Sequence, residues 1–396
     1  MEGGGSVPGV EGADGDRAAV LVDCDVHPTF KHGLRDLAPY LSVAWQARLG
    51  VAGDGGRDMF GGVRESTIEL PKSPFFTPSP GAFRKDAYPP AGGPPGSDPR
   101  YLAEHHLDAW GVDRALLLGQ PALTLGAHPN PDVASTIASA YNDWLEETWL
   151  EADPRYRGAL AVAPQDVSRA VAEIERVADR HAGFVAVFVP LTTHMLGDLH
   201  FHPIYEAAER HGLPITVHIS GVEGTFQTSP TLGGGVPATY FEYKTMVTTT
   251  YQANLASLVV RGVFERFPAL RVVMVECGVA WLVELLWRLD TNWKALRDEA
   301  PWVRQAPSEY IFERVRFTSQ PFVEPPTRKQ LLDFCEMVRI EDILLFASDY
   351  PHYDFDNPLR VLNSLPERSR SAVRGGNALE VFGPRMAAPG RDRVGA

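Results

Sequence analysis

The chain has 396 residues, 44% of them hydrophobic, with a net charge of −13 and a pI near 5.4. This composition suffices for a large hydrophobic core and excludes a wholly disordered chain, and the lack of a basic stripe argues against nucleic acid as a partner. Three widely separated cysteines exclude a disulfide framework and fit the cytoplasm, and the sequence has no apolar run of about 18 residues that would predict a membrane span.

Both ends of the chain are predicted to lie outside the folded domain. Residues 1–17 are rich in Gly and acidic residues, lack the pattern of a signal peptide and predict a disordered leader. Residues 387–396 predict a frayed tail, so one domain covers residues 18–386. Inside it, residues 30–98 form an irregular stretch dense in Gly and Pro, which we interpret as a lid over a pocket.

The first regular element is predicted at Val22–His27, after the apolar run Ala18–Val22 and before Pro28. A strand here delivers Asp25 and His27 at its carboxyl end, on one face because side chains alternate along a strand. Taken alone, this triplet also fits a surface carboxylate beside a loop histidine.

From residue 99 onward, helices alternate with short apolar strands. The helices are predicted at Tyr101–Trp110, Asp132–Leu150, Asp166–His181 with Asp166 as N-cap, Pro203–Arg210, Glu242–Arg266, Trp281–Arg297, Thr327–Met337 and Ser369–Phe382. The strands are predicted at Arg114–Gly119, Arg157–Val162, Phe184–Val189, Pro214–Ser220, Arg271–Glu276, Val315–Ser319 and Ile343–Ala347.

Eight such strands predict an α/β fold, a (β/α)8 TIM-like barrel with long insertions after strands 1 and 5. Continuous apolar runs are typical of parallel strands buried on both faces. The second insertion is the Gly-rich segment 221–238. A doubly wound open sheet is the alternative, but no Gly-x-Gly-x-x-Gly follows a strand at a turn into a helix, so a dinucleotide-binding fold has no support.

Polar residues stand where the predicted strands end, which is where barrels carry their catalytic groups. Each has an ordinary explanation when taken singly, as a core histidine or a turn carboxylate. Together, two imidazoles and two carboxylates meet at one mouth, and these ligands suit Zn²⁺, Mn²⁺ or Fe²⁺ better than Ca²⁺. The fourth strand has no lysine to bridge two ions, so we predict one divalent transition metal, with zinc first. The predicted ligands are Asp25, His27, His218 and Asp349.

Further site residues are predicted at the sixth and eighth strand ends and in the first insertion. Glu276 follows an apolar strand, and His352 follows the loop after the eighth strand. Arg64 and Arg84 lie in the predicted lid, where a guanidinium can pair with a substrate carboxylate, although solvated loop arginines are the simpler explanation.

These motifs resemble the amidohydrolase-related (amidohydrolase 2) family, which includes aminocarboxymuconate semialdehyde decarboxylase. The resemblance covers residues from about 20 to 385 and implies a metal-dependent barrel enzyme that performs hydrolysis or non-oxidative C–C cleavage, often as a homodimer. The matching segments are Asp25–His27, Thr216–His218, Gly262–Pro268, Glu276–Gly278 with Trp281, Phe317–Pro321 and Ser348–His352.

Two positions depart from the family pattern. The first motif is often His-x-His or Glu-x-His in the family, whereas this chain has Asp25 and His27. The sixth strand of the family often ends in a histidine that serves as acid and base, whereas Glu276 stands here. These departures leave the proton-transfer role of Glu276 a hypothesis.

Three functions therefore stay open for a small organic substrate. The first is hydrolysis by metal-activated water, with Asp349 or Glu276 moving the proton and His352 stabilising developing negative charge. The alternative is decarboxylation or related C–C cleavage of an aromatic or unsaturated carboxylic acid. The third is a barrel that binds a small molecule without chemistry, against which ligand-type residues at three strand ends argue. Aromatic residues of the two insertions favour an aromatic or apolar substrate: Phe75, Phe76, Tyr88, Tyr240, Phe241 and Tyr243.

Overall fold

A computed structural model of the chain describes residues 20–51, 70 and 83–387. Within them, eight strands pair in sequence order, and each neighbouring pair is parallel. No strand end differs by more than two residues from its predicted position. The strands are β1 (Val22–Val26), β2 (Arg114–Leu117), β3 (Tyr156–Ala161), β4 (Phe184–Phe188), β5 (Ile215–His218), β6 (Val272–Val275), β7 (Val315–Thr318) and β8 (Leu344–Leu345).

The backbone after β8 returns to β1 and nearly closes the sheet into a barrel. The amide of Cys24 donates to the carbonyl of Phe346 at 2.9 Å, and the amide of His27 donates to the carbonyl of Tyr350 at 2.8 Å. Val26 and Tyr350 form a parallel bridge. With helices between consecutive strands, the architecture is the predicted (β/α)8 barrel, and the open sheet is excluded.

Burial on both faces explains the continuous apolar strands. All five residues of β4 are buried, as are all six of β3 and all four of β6. In a barrel, one face of each strand packs in the interior and the other packs under the helices, so neither face requires polar residues. The buried charged residues of β1 are therefore exceptions that need a partner.

The helices lie close to their predicted positions. Asp166 caps its helix as predicted, because its side chain accepts from the amide of Arg169. The α-helices of the described residues are α1 (Val43–Leu49), α2 (Pro99–Leu102), α3 (Gln120–Leu123), α4 (Pro131–Trp144), α5 (Val167–Val177), α6 (His202–Arg210), α7 (Tyr240–Met246), α8 (Thr248–Val260), α9 (Val263–Arg266), α10 (Leu282–Ala295), α11 (Pro307–Arg314), α12 (Arg328–Met337), α13 (Ile340–Ile343), α14 (Pro358–Ser364), α15 (Glu367–Ser371), α16 (Asn377–Phe382) and α17 (Pro384–Ala387). Single π-helical turns continue α2, α4 and α15 at Ala103–Asp108, Leu145–Leu150 and Ala372–Gly376.

The segment Glu242–Arg266, predicted to be largely helical, is helical in the structure but divided into α7, α8 and α9. Gly262 separates α8 from α9 with φ +74°, a left-handed conformation that other residues adopt at a cost. A Cβ atom at this position would also meet the ring of Trp302 at 2.4 Å. The glycine therefore ends α8 and admits the tryptophan.

The first insertion returns to the barrel beside the loop after β8. Phe83 forms an antiparallel bridge with His352, and the amide of Arg84 donates to the carbonyl of Pro351 at 3.0 Å. Residues 52–69 and 71–82 lie outside the described residues, as do the predicted leader and most of the predicted tail, so the lid stays a prediction. Among the described helices, none has the length and apolar character needed to cross a membrane.

Candidate active site

Six predicted site residues meet at the carboxyl end of the barrel. Asp25 and His27 come from the end of β1, and His218 is the last residue of β5. The other three follow the strands to which the sequence assigned them. The six residues are Asp25, His27, His218, Glu276, Asp349 and His352, and all are buried except His352, which is partly exposed.

His27 points its Nε2 atom at two carboxylates. Its Nδ1 atom lies 2.7 Å from the carbonyl oxygen of Leu118, which can only accept, so we assign the proton to Nδ1. The lone pair of Nε2 then faces Oδ1 of Asp25 at 3.2 Å and Oδ1 of Asp349 at 2.9 Å. A neutral His27 thus presents an acceptor to two further acceptors.

His218 repeats this arrangement from β5. Its Nδ1 atom donates to the carbonyl of Ile219. Its Nε2 atom lies 3.5 Å from Oδ2 of Asp25 and 3.3 Å from Oε2 of Glu276. The two imidazoles meet edge to face, with ring centroids 5.1 Å apart. Both Nε2 atoms therefore converge on Asp25.

Several buried atoms at this point have no hydrogen-bond partner among the described residues. They are both carboxylate oxygens of Asp25, Nε2 of His218 and Oδ2 of Asp349. Buried polar atoms without partners destabilise a fold by roughly 1–3 kcal/mol each, so a cluster of them indicates a missing charge. Ligand atoms of Asp25, His27 and His218 all lie within 4.8 Å of one another. This donor set fits a divalent transition-metal ion.

The electrostatics of the cluster also favour a cation. Burial lowers the pKa of His218, but the carboxylates of Asp25 and Glu276 outweigh burial and raise this pKa to about 9. Burial raises the pKa of Asp25 despite the two nearby histidines. Burial likewise acts to raise the pKa of Asp349, but His352 and His27 dominate and hold it well below its usual range. Positive charge, on an imidazole or on a metal, stabilises this site.

Two of the carboxylates have a left-handed backbone. Asp349 has φ +60° and Glu276 has φ +51°, values that cost roughly 1–3 kcal/mol outside glycine. Hydrogen bonds hold both: the amide of Asp349 donates to the carbonyl of Asp25 at 3.1 Å, and the amide of Glu276 donates to Oγ1 of Thr318 at 2.9 Å. Each turn directs its carboxylate toward the mouth of the barrel.

Lys244 is a site residue that sequence reasoning missed. Its Nζ atom lies 2.6 Å from Oε1 of Glu276 and 3.1 Å from Oδ2 of Asp354. These carboxylates raise its pKa even though burial acts to lower it. Lys244 lies on α7, just after the second insertion, and no motif marks it. Only the fold brings it to Glu276.

His352 lies between Asp349 and the first insertion. Its Nδ1 atom bonds to Oδ1 of Asp349, and its ring stacks on Phe83 with centroids 5.4 Å apart. The carboxylate of Asp349 raises the pKa of His352 against the effect of burial. The ring of His352 also lines the cavity at the mouth.

Of the two predicted arginines, Arg84 lies within the described residues. Arg84 forms two hydrogen bonds with Asp86, at 2.9 Å and 2.6 Å, and its guanidinium lies 4.5 Å from the ring centroid of Phe355. Its charge is thus already paired within the chain. Arg64 lies outside the described residues. A substrate-binding role for either arginine stays a prediction.

A small cavity of about 40 Å³ opens onto the cluster. Its remaining walls are partly aromatic, as predicted for Tyr240 and Tyr243, while Phe241 is 85% exposed and Tyr88 is 44% exposed. Phe75 and Phe76 lie outside the described residues. Side chains of the walls, apart from the cluster itself, include Gln120, Leu123, Tyr240, Tyr243 and Tyr353.

Comparison with known proteins identifies the family of the chain and its relatives. A family model described as amidohydrolase matches residues 22–383. A curated relative, gamma-resorcylate decarboxylase of Polaromonas sp. strain JS666, is 25% identical over 296 residues, which cover 70% of this chain and 85% of the relative.

Two solved structures share the fold. One is 5-carboxyvanillate decarboxylase from Sphingomonas paucimobilis, with a TM-score of 0.61 and 23% identity, covering 92% of this chain and 99% of the other. The second is dihydroxybenzoic acid decarboxylase from Polaromonas sp. JS666 with bound manganese and the inhibitor 2-nitroresorcinol. It has a TM-score of 0.60 and 17% identity, covering 92% of this chain and 97% of the other.

Proposed function

Because the chain belongs to the amidohydrolase family, we propose that it is a metal-dependent decarboxylase of an aromatic carboxylic acid. The family assignment makes it an enzyme, a metal-dependent hydrolase or decarboxylase. The sequence put hydrolysis first and decarboxylation second. The curated relative and the two solved structures are decarboxylases of aromatic acids by name, and they favour the second reaction.

One observation carries the proposal: the cluster of imidazoles and carboxylates opens into a cavity with aromatic walls. Tyr240 and Tyr353 line it together with Leu123, and the cluster forms its polar end. An aromatic acid has a matching arrangement of apolar and charged parts, with a flat apolar ring and one anionic end. Binding sites of this kind combine an apolar enclosure with a few polar groups that fix the orientation.

The residues that would hold the ion are Asp25, His27, His218 and Asp349. Their buried, unpartnered oxygen and nitrogen atoms support this assignment. A bound divalent ion supplies Lewis-acid stabilisation of negative charge on the oxygens of the substrate. Manganese occurs in a solved relative, and zinc is the ion that the ligand types favoured.

The reaction breaks the bond between the ring and its carboxylate, which leaves as CO₂, and the ring carbon takes up one proton. We assign this proton to Nε2 of His352, because Nδ1 is bonded to Asp349 and the ring lines the cavity. Oε1 of Glu276 is bound by Lys244, and its Oε2 atom lies 3.3 Å from Nε2 of His218. Because of the ion pair with Lys244, we assign Glu276 to hold Lys244 beside the cluster instead of moving the proton.

The proposal is tested by product analysis with manganese-loaded protein. Candidate substrates are 2,6-dihydroxybenzoate and 5-carboxyvanillate, together with other hydroxybenzoates and a panel of aryl esters and lactones. We expect release of CO₂ and, in D₂O, one deuterium on the ring carbon that carried the carboxylate, seen by NMR.

Other outcomes would overturn it. Ester or lactone cleavage with ¹⁸O taken from water, and no CO₂, would establish the hydrolase. No manganese or zinc binding and no turnover would indicate a barrel that binds a small molecule without chemistry.

A further inference from the structure

A second acidic residue of β1 is buried directly behind the site. Asp23 is two residues before Asp25 and is 0% exposed. Its Oδ2 atom accepts from Nε2 of His106 at 2.7 Å and from Oγ of Ser348 at 2.6 Å, while its Oδ1 atom accepts from the amide of Ser348 at 2.9 Å. We call Asp23, His106 and Ser348 the Asp23 network.

The network contains the residue types of a hydrolytic triad but not its geometry. Ser348 donates its hydroxyl to Asp23, and Nε2 of His106 is 3.4 Å from that hydroxyl while bonding to the same carboxylate. All three side chains are fully buried, and none lines the cavity. A nucleophilic serine must reach its substrate, so the network has another role.

The network fixes the backbone on both sides of Asp349. Asp23 binds the amide that precedes this residue, and Oγ of Ser348 accepts from the amide of Tyr350, which follows it, at 3.2 Å. The amide of Asp349 itself donates to the carbonyl of Asp25 at 3.1 Å. Three successive amides are thus held around a residue with φ +60°. A conformation of this cost persists only where the surroundings impose it.

His106 adds a second restraint to the same turn. Its ring stacks on Tyr350, with centroids 4.5 Å apart and planes 14° apart. His106 lies on the π-helical turn that follows the first insertion, so the network joins three segments far apart in sequence: this turn, β1 and the loop after β8. The structure buries His106 completely.

We propose that Asp23 is a positioning residue for the metal site: through Ser348 it holds the left-handed turn that directs the carboxylate of Asp349 at His27. This inference rests on the proposed metal site. Residues that orient metal ligands typically change metal affinity or activity by about 10–100-fold when they are substituted. Asp23 and Ser348 do not line the cavity, so their effect passes through the residues they hold: Asp349 for both, and for Asp23 also Asp25, whose amide donates to Oδ1 of Asp23 at 3.3 Å.

The test compares Asp23→Asn and Ser348→Ala with Ser369→Ala. Ser369 is an equally buried serine on α15 that does not line the cavity, and its hydroxyl donates to the carbonyl of Pro366 at 2.8 Å. For each full-length protein, the Kd for Mn²⁺ is measured by calorimetry, the Tm is measured in EDTA, and kcat and KM are measured at saturating Mn²⁺. Two network variants are used so that the test still works if one of them folds poorly.

We expect the two network variants to bind Mn²⁺ at least about tenfold more weakly, and we expect their kcat to fall by a larger factor than their KM changes. Ser369→Ala is expected to keep the wild-type Kd and kcat. Network variants with an unchanged Kd and kcat, and a loss of Tm like that of Ser369→Ala, would show a purely structural role and overturn the inference. Wild-type protein that binds neither Mn²⁺ nor Zn²⁺ would overturn the proposed function, and this inference with it.

Discussion

The Nε2 atom of His27 lies 2.9 Å from Oδ1 of Asp349, although 322 residues separate the two side chains in sequence. Because Nδ1 of His27 donates to the carbonyl of Leu118, Nε2 presents a lone pair to a carboxylate. Two acceptors in a buried site repel each other unless a cation neutralises them. The contact is therefore built for positive charge, and this is the basis of the first prediction.

Wild-type protein purified without added metal is expected to contain about one transition-metal ion per chain, and His218→Ala is expected to lose it. His218 contributes one of the converging Nε2 atoms, and its loss leaves Asp25 with fewer partners. Elemental analysis after gel filtration measures the content. His211→Ala is the control, because His211 lies at the end of α6 and pairs with Glu175 outside the site.

Either of two results would contradict this prediction. Two ions per chain would mean that the ligand set is too small. An unchanged ion content in His218→Ala would place the metal elsewhere, even if the variant had lost activity.

The sequence was sufficient for the parts of this site that follow from strand periodicity. An acid or a histidine at the end of an apolar strand can be recognised without coordinates, because few other positions in a barrel tolerate it. Asp25, His27 and His218 were found in this way, and the structure brings them within reach of one another. Asp349 was found because it follows an apolar strand at the opposite end of the chain.

Residues that only the packing of helices brings to the site or its surroundings could not be found in this way. Lys244 lies on α7, and only the fold brings it to Glu276. His106 was equally unmarked, since it faces Asp23 only when the π-helical turn packs on β1. Asp23 did leave a signal, because an acid within a strand buried on both faces requires a partner.

Lys244→Met is expected to destabilise the protein and to lower activity. The substitution removes the cation between Glu276 and Asp354 and leaves two largely buried carboxylates without their counter-ion. Removing one partner of a fully buried ion pair lowers the free energy of unfolding by roughly 3–5 kcal/mol. Because Lys244 is partly exposed, we take this as the upper limit of the expected loss. Urea denaturation and steady-state kinetics measure the two effects.

Lys329→Met is the matched control for this loss. Lys329 pairs with Asp333 on the surface of α12, where such pairs contribute less than about 1 kcal/mol. Equal stability losses in the two variants would show that the buried contacts of Lys244 have no special weight.

The source of the proton is tested by comparing His352→Gln with Glu276→Gln in the decarboxylation assay. A general acid contributes about 10²–10⁴-fold to rate, so we expect His352→Gln to lose kcat on that scale. Glu276→Gln retains an oxygen that can still accept from Lys244, and we expect a smaller loss of about tenfold or less. Deuterium uptake at the ring carbon is followed in both, and the reverse order of losses would assign the acid role to Glu276.

The last prediction concerns Asp356, which is buried beside the loop after β8. Burial raises its pKa from 3.8 to about 6, against the hydrogen bond that its Oδ2 atom accepts from the amide of Phe322 at 2.7 Å. An acid whose pKa is higher in the folded state favours folding at low pH. That contribution is complete below the unfolded pKa and is lost as the pH rises through about 6.

Asp356→Asn removes this titration and keeps an oxygen for Phe322. Relative to wild type, the variant is therefore expected to gain stability between about pH 4 and about pH 7, by roughly 3 kcal/mol at most. Urea midpoints of both proteins in EDTA across this range measure the change. Asp166→Asn is the control: Asp166 accepts from Ser168 and from the amide of Arg169, and these bonds lower its pKa, so this carboxylate stays ionised above about pH 5. If the urea midpoint of Asp356→Asn differs from that of wild type by the same amount at every pH, as expected for Asp166→Asn, then ionisation of Asp356 does not destabilise the folded protein.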